Sequence, residues 1–354
     1  MQKPNMIRMG AFAMLVGVAA CADAPVAPNA ADAGPQLAVA GTTTFVSDPS
    51  SDESIAVSPL LADLDAQLAA AGSNIRVTKA ELLVDGNTWD GVSSTVIIAN
   101  NRARGLSSEW VAGDPRRDGR VGVTWTFGSS HPQQPLTRNP DGSNLHFVSF
   151  ADLDTQLQEG LGAWRNETCS TAPVTRVSIP MGTDPDYIDD LVFVGHPSAA
   201  YAQPADIVEA GWMPSSFFRA IGGGTAGNSI IGVTFTFHYV DDVTGVATDI
   251  DKNGKGDEAL AEIYYNTRFA WGSSQAANVV DFYSIITHET GHAMGLAHFG
   301  KVFVTKKDAA DGSISVSDIK YAPKAMMNAV YVTGRSEIAG TDNSSFCQIW
   351  ASKK

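Results

Sequence analysis

Residues 288–298 read HETGHAMGLAH, and no other stretch restricts the fold so tightly. The chain carries 7 histidines in 354 residues, and three of them fall here. His288 and His292 are four positions apart, which on a helix places both rings on one face, a single turn from each other. Rings so placed can reach one metal ion at ~2.0–2.1 Å. His298 cannot join them on a continuing helix, because six further residues carry it ~9 Å along the axis and ~240° around it. The helix must therefore stop, and Gly295 stands where a left-handed residue can end it and turn the chain back. Upstream, Val279, Val280, Phe282, Ile285 and Ile286 predict a largely buried helical entry, with Asp281 or Ser284 as its cap.

Three neutral imidazoles leave a fourth coordination position open, as in a catalytic site and unlike a closed structural one. With uncharged ligands an ion keeps its full positive charge and can bring the pKa of water toward ~7. Zinc is the expected metal, held by His288, His292 and His298. Glu289 follows the first ligand directly and is expected beside the metal. There a carboxylate can serve as general base, taking a proton from water and passing it to a leaving amine.

The string HExxHxxGxxH, followed downstream by KAMMNAVY (residues 324–331), resembles the signature of the metzincin zinc endopeptidases. Ala325, Met326, Met327 and Tyr331 are most similar to the matrixin branch, where the turn methionine is commonly preceded by Ala-Leu and followed four residues later by Tyr. The resemblance implies Met327 beneath the zinc, Tyr331 in the wall of the S1′ pocket, and protein or peptide substrates. It also implies an α+β zincin fold over residues 107–354. A twisted mixed β-sheet, a long helix and the active-site helix would form an upper subdomain, with a small lower subdomain after His298 and the cleft between them. Three departures stand out. Ala329 replaces the usual proline, Phe299 replaces a frequent serine, and KVFVTKKDAADGSISVSD (residues 301–318) reads as an inserted loop. No cysteine-switch motif is present. Two other functions stay open: a zinc amide hydrolase acting on cell-wall peptides, and a catalytically silent zinc-containing binding lipoprotein. Glu289 disfavours the second, since a silent site needs no base.

At the N-terminus, Lys3 and Arg8 precede the apolar run from Met9 to Ala20, a signal-peptide pattern (residues 1–20) too short to span a bilayer. Val18, Ala19, Ala20 and Cys21 resemble the lipobox of bacterial lipoproteins, which implies a lipid on Cys21. An ordinary secretory signal is the alternative. The expected location is the cell envelope, on its periplasmic or outer face, or the medium, with membrane contact only through the lipid. With Cys21 so used, Cys169 and Cys347 remain as an even pair in an oxidising compartment, and a disulfide between them is expected. Residues 21–57 read as a Pro/Ala-rich tether. Residues 58–106 read as an N-terminal helix and β segment, either a pro-segment or a docking extension. In it Ser58 caps, Pro59 suits the first helical position, Gly72 ends the helix, and Leu60, Leu61, Leu64 and Leu68 share a face. Short β runs between turns are expected from Arg76 to about Ile98.

Elsewhere, Phe150, Leu153, Leu157, Leu161 and Trp164 form one helical stripe, although Gly160 and Gly162 weaken its last turn. Val121 to Phe127 and Leu260 to Trp271 read as β-rich. Val233, Phe235, Phe237 and Tyr239 alternate with Thr234, Thr236 and His238, a strand whose polar face, His238 included, is expected to meet solvent. Asp249, Asp251, Asn253 and Asp257 alternate in DIDKNGKGD, like ligands of a Ca²⁺ loop. Leu260 occupies the twelfth position, where an EF-hand needs Glu, so an ion-free Asp/Asn/Gly turn is an equal reading. The net charge of −14 argues against a nucleic-acid partner. A monomer is expected. No phosphate-binding loop or GxSxG elbow occurs.

Overall fold

In the computed structural model, the described residues are 58–86, 108–128, 150–167, 169, 173–180, 182–199, 201–223, 226–272, 279–299, 301–304, 319–322, 324–331 and 336–351. The signal sequence, Cys21, the tether and residues 87–107 lie outside them. Among the described residues no helix is long and apolar enough to cross a membrane.

The leucine stripe makes the first helix, α1 (Ser58–Ala70), with Leu60, Leu64 and Leu68 buried and Gly72 in the left-handed region just beyond its end. The chain continues through β1 (Ile75–Asp85), β2 (Ser108–Glu109), β3 (Val123–Phe127), α2 (Phe150–Arg165), β4 (Val174–Arg176) and α3 (Ile188–Phe193). Then come β5 (Ile207–Met213), α4 (Ser215–Gly222), α5 (Ala226–Ser229) and the long strands β6 (Ile230–Tyr239) and β7 (Gly256–Asn266). Short strands β8 (Trp271–Gly272) and β9 (Val280–Asp281) lead into α6 (Phe282–Ala293). A hairpin of β10 (Lys301–Val304) and β11 (Ile319–Ala322), then β12 (Val330–Tyr331) and α7 (Gly340–Trp350), complete the order. That hairpin brackets the expected insertion, whose residues 305–318 lie outside the described set.

The central sheet runs β12-β1-β6-β7-β5-β3-β4, with β2 pairing on β7. β4, β3, β5 and β7 are mutually parallel, and β12 is parallel to β1. β6 is antiparallel to both of its neighbours, so it alone runs against the rest. The result is a mixed α+β architecture around a mixed sheet. Period-two alternation divides β1, β5, β6 and β7 between two apolar cores. On β7, Ala261, Ile263 and Tyr265 join the core of α2, α6 and α7, while Leu260 and Tyr264 join that of α1, α3 and α4. Met326, Met327, Phe346 and Trp350, all beyond His298, belong to the same core as α6.

Several local expectations change. The first expected β run is an 11-residue strand, β1, over residues 75–85, and the turn and runs expected at residues 87–98 lie outside the described residues. Val280 lies in β9, paired with Trp271, so the helix starts at Phe282. Thr234 and Thr236 are fully buried, because α6 covers the polar side of β6. His238 is half-buried, and burial lowers its pKa to about 4. α2 runs unbroken through both glycines, since a Cβ on Gly160 would lie 2.5 Å from Ile286 Cγ2 on α6. At this crossing the absent side chain lets the helices approach.

Candidate metal centre

Asp281 starts the helix that carries the first two ligands. Its Oδ1 accepts from Ser284 N at 2.9 Å and from Ser284 Oγ at 2.7 Å, satisfying a donor that the first turn leaves orphaned. The other end stops where the sequence requires. Gly295 takes φ +92°, and the amides of Gly295 and Leu296 bond back to the carbonyls of His292 and Gly291. The remaining carbonyls there are met by indoles: Trp110 Nε1 donates to Ala293 O at 2.7 Å and Trp350 Nε1 to Met294 O at 2.9 Å. Trp164 Nε1 adds a bond to Thr287 O at 2.7 Å. Three tryptophans from distant segments thus fix the helix axially. Trp110 is itself covered by the guanidinium of Arg117, which is buried and paired with Asp206 at 2.9 Å.

The broken helix brings the three rings together. The Nε2 atoms of His288, His292 and His298 stand 3.1 Å from one another, pair by pair. Two zinc–nitrogen bonds of ~2.05 Å at a tetrahedral angle separate their nitrogens by about 3.3 Å, so this triangle fits such a cation. The outer nitrogens agree. His288 Nδ1 donates to Met326 O at 2.6 Å and His292 Nδ1 to Leu296 O at 2.8 Å. A neutral ring that spends its proton on a carbonyl presents a lone pair at Nε2. His298 Nδ1 lies 3.3 Å from Glu81 Oε2, a carboxylate behind the third ring. Burial keeps all three rings neutral, holding His292 down to about 3 and the others well below the ordinary range.

Glu289 is fully buried against β6. Its Oε2 accepts from Thr234 Oγ1 at 2.7 Å, whereas Oε1 has no hydrogen-bond partner among the described residues. A Cβ on Gly232 would lie 2.6 Å from that Oε1. Burial raises the Glu289 pKa well above the usual carboxylate range against the pull of Thr234, and Glu209 and Glu81 raise it further.

Met327 is fully buried and closes the floor. A Cβ on Gly291 would meet its Sδ at 2.5 Å, so the glycine between Glu289 and His292 is needed for this contact. The turn that carries Met327 is held by Asp342 of α7, which accepts from Met326 N at 2.9 Å, Met327 N at 3.1 Å and Ala339 N at 2.7 Å. Asn328 ties the same turn to Phe299 O at 2.9 Å. Tyr331 borders a small cavity with His288, Leu83, Met326 and Val330, and its hydroxyl accepts from Asp281 N at 3.0 Å. Cys169 and Cys347 form a disulfide that joins the segment after α2 to α7.

The proposed calcium ligands lie in the turn between β6 and β7. Carboxylate oxygens of Asp249, Asp251 and Asp257 come within 4.8 Å of one another. Other partners engage them, however. Asp249 accepts from the amides of Asn253 and Gly254, Asn253 Nδ2 donates to Asp251, and Asp257 is paired with Arg116 at 2.6 Å. These carboxylates are thus engaged by amides of the turn and by Arg116 from outside it.

The motif residues His288, Glu289, His292, His298, Met327 and Tyr331 all fall in this one region. Glu81, Thr234, Asn328, Asp342 and the three tryptophans escaped the reading of the sequence. Asn328 stands next to Met327 inside KAMMNAVY without a role read for it, and no local spacing marks the others, because each arrives from a remote element. No protein-family model matches the chain, and no curated protein matches it in sequence.

Proposed function

We propose that this chain is a zinc-dependent endopeptidase of metzincin type, exported and lipid-anchored through Cys21, acting on proteins or peptides. One observation carries the reading: three buried Nε2 atoms converge at 3.1 Å, two of them with their partner nitrogens committed to carbonyls. A zinc ion held there supplies Lewis-acid chemistry, polarising a carbonyl and making water acidic enough to lose a proton near neutral pH. His288, His292 and His298 hold the ion. Glu289 receives the proton at Oε1, the oxygen without a partner among the described residues, and returns it to the leaving amine. Thr234 holds the other oxygen. Met327 and Gly291 set the depth of the floor, and Tyr331 lines the neighbouring pocket.

The test is metal analysis coupled to hydrolysis of unfolded casein. One zinc per chain is expected, with cleavage lost to a chelator and restored by zinc. Glu289→Ala should keep the metal and lose about 10²–10⁴-fold in rate. Full activity in that variant rules out the base, and a chain without zinc rules out the reading. Cleavage of cell-wall peptides but not casein favours the amide hydrolase instead.

A further inference from the structure

A helix of 11 residues is too short to hold its shape alone, so α7 persists through its side-chain attachments. Those attachments lead to all three rings. Asp342 accepts the amides of Met326 and Met327, and the carbonyl of Met326 takes the Nδ1 proton of His288. Trp350 Nε1 donates to Met294 O, and Ile349 lies against Gly295, 3.8 Å from where a Cβ would stand. That turn presents Leu296 O, the acceptor for His292 Nδ1. The carbonyl of Met327 accepts from the amide of Phe299, the residue next to His298. Each ring is thus backed by a backbone segment that α7 holds in place.

α7 is in turn tied to the end of α2 by a covalent bond. Cys347 stands between Asp342 and Trp350, with its Cα 5.5 Å from that of Cys169. Asn343 Nδ2 donates to Glu167 beside the bridge, and Phe346 lies 5.4 Å from Trp164, whose indole bonds Thr287 O of α6. Both cysteines are only partly buried, so a reductant can approach from solvent. Local opening of α7 frees the supports of the rings while the sheet stays formed. With the bridge intact, a detached α7 stays tied at Cys347 on one side and at β12 on the other. It gains little chain freedom, and opening is disfavoured. Cleaving the bridge removes the second tie.

We infer that the Cys169–Cys347 bridge is a redox lock on the metal centre: oxidised, it keeps the three histidines in their zinc-binding arrangement, and reduced, it lets the ion escape. This rests on the proposed zinc-site reading. A dithiol supplies the two electrons: the S–S bond breaks, each cysteine sulfur takes a proton, and the dithiol closes into its own disulfide. Hydrolysis is then confined to oxidising surroundings, and a chain still in a reducing compartment holds its zinc loosely.

To test it, the folded, zinc-loaded full chain is treated with a water-soluble phosphine, which with water cleaves the bridge to two thiols and becomes a phosphine oxide. Zinc transfer to a chromogenic chelator should be about 10–100-fold faster than from the untreated chain. The Cys169→Ser/Cys347→Ser variant should match the reduced rate with or without phosphine. Equal rates from oxidised and reduced wild type overturn the inference, and so does an equal phosphine effect on the double variant. Amide exchange gives a reading that needs no metal. In the metal-free chain, reduction should speed exchange at Met326 and Met327 by a similar factor, and unchanged exchange overturns the inference. A chain that binds no zinc yet shows the faster exchange refutes the peptidase reading and leaves the bridge as the lock on that turn. Should the double variant lose its circular-dichroism signature, wild type reduced after folding carries the test.

Discussion

Glu289 is held by two contacts of different kinds, and each can be broken alone. The Thr234 hydroxyl fixes one oxygen, and the missing side chain of Gly232 makes room for the other. Gly232→Ala puts a carbon 2.6 Å from Oε1 and must displace the carboxylate. Since a misplacement near 1 Å can cost ~10²-fold, casein hydrolysis should fall by about 10–100-fold with zinc content unchanged. A variant with wild-type kcat/KM would show that Glu289 is not the base. Glu209 makes a separate prediction. Burial pushes its carboxyl up to about 8 from 4.5, despite the Tyr265 hydroxyl at 2.6 Å. The folded state thus keeps a proton that the unfolded chain releases, so the contribution of Glu209 to stability is full below pH 4.5 and is lost as pH rises toward 8. The urea midpoint should drop between pH 5 and pH 8, and Glu209→Gln should flatten that drop. An identical slope in both proteins contradicts the assignment.

At the level of elements, the turn bearing Met327 has no regular structure of its own and depends on α7. Asp342 accepts three backbone amides across that junction. Leaving buried donors unmet costs ~1–3 kcal/mol each, and Met326 O also orients His288. Asp342→Ala should therefore destabilise the fold by about 3 kcal/mol and weaken zinc affinity ~10-fold. Urea unfolding and chelator competition measure the two effects, and a variant that loses stability but binds zinc as before separates α7 from the metal. How much of this was legible follows from distance along the chain. The i, i+4 histidines, the breaking glycine and the Asp281 cap are local rules, and they are enough to place the three histidines together. The leucine stripe of α1 and the Leu157, Leu161 and Trp164 part of the α2 stripe were readable for the same reason; the side chains of Phe150 and Leu153 lie outside the described set. The burial of the polar face of β6 was not, because alternation announces a strand without saying what covers each side. Nor could the partners of β1 be read: it joins β6 and β12, more than 140 positions downstream.

For the molecule as a whole, the pairing of Cys169 with Cys347 was readable from cysteine parity, and it closes a loop of 178 residues. Removing it by Cys347→Ser should cost about 2–5 kcal/mol, read as a lower thermal midpoint that reductant no longer shifts. A wild-type midpoint insensitive to reductant contradicts that role. The two cores differ in their reliance on the N-terminal segment: α1 and β1 supply seven buried residues to one and Leu83 to the other. Among the described strands of the central sheet, the only one running against the grain is also the one whose far margin is covered by residues 75–85. Uncovered, β6 would present nearly its full length of unpaired amides and carbonyls to neighbouring molecules. A chain whose first strand came loose would therefore be adhesive, gathering its own copies at high concentration unless another extended polypeptide reached that bare margin first.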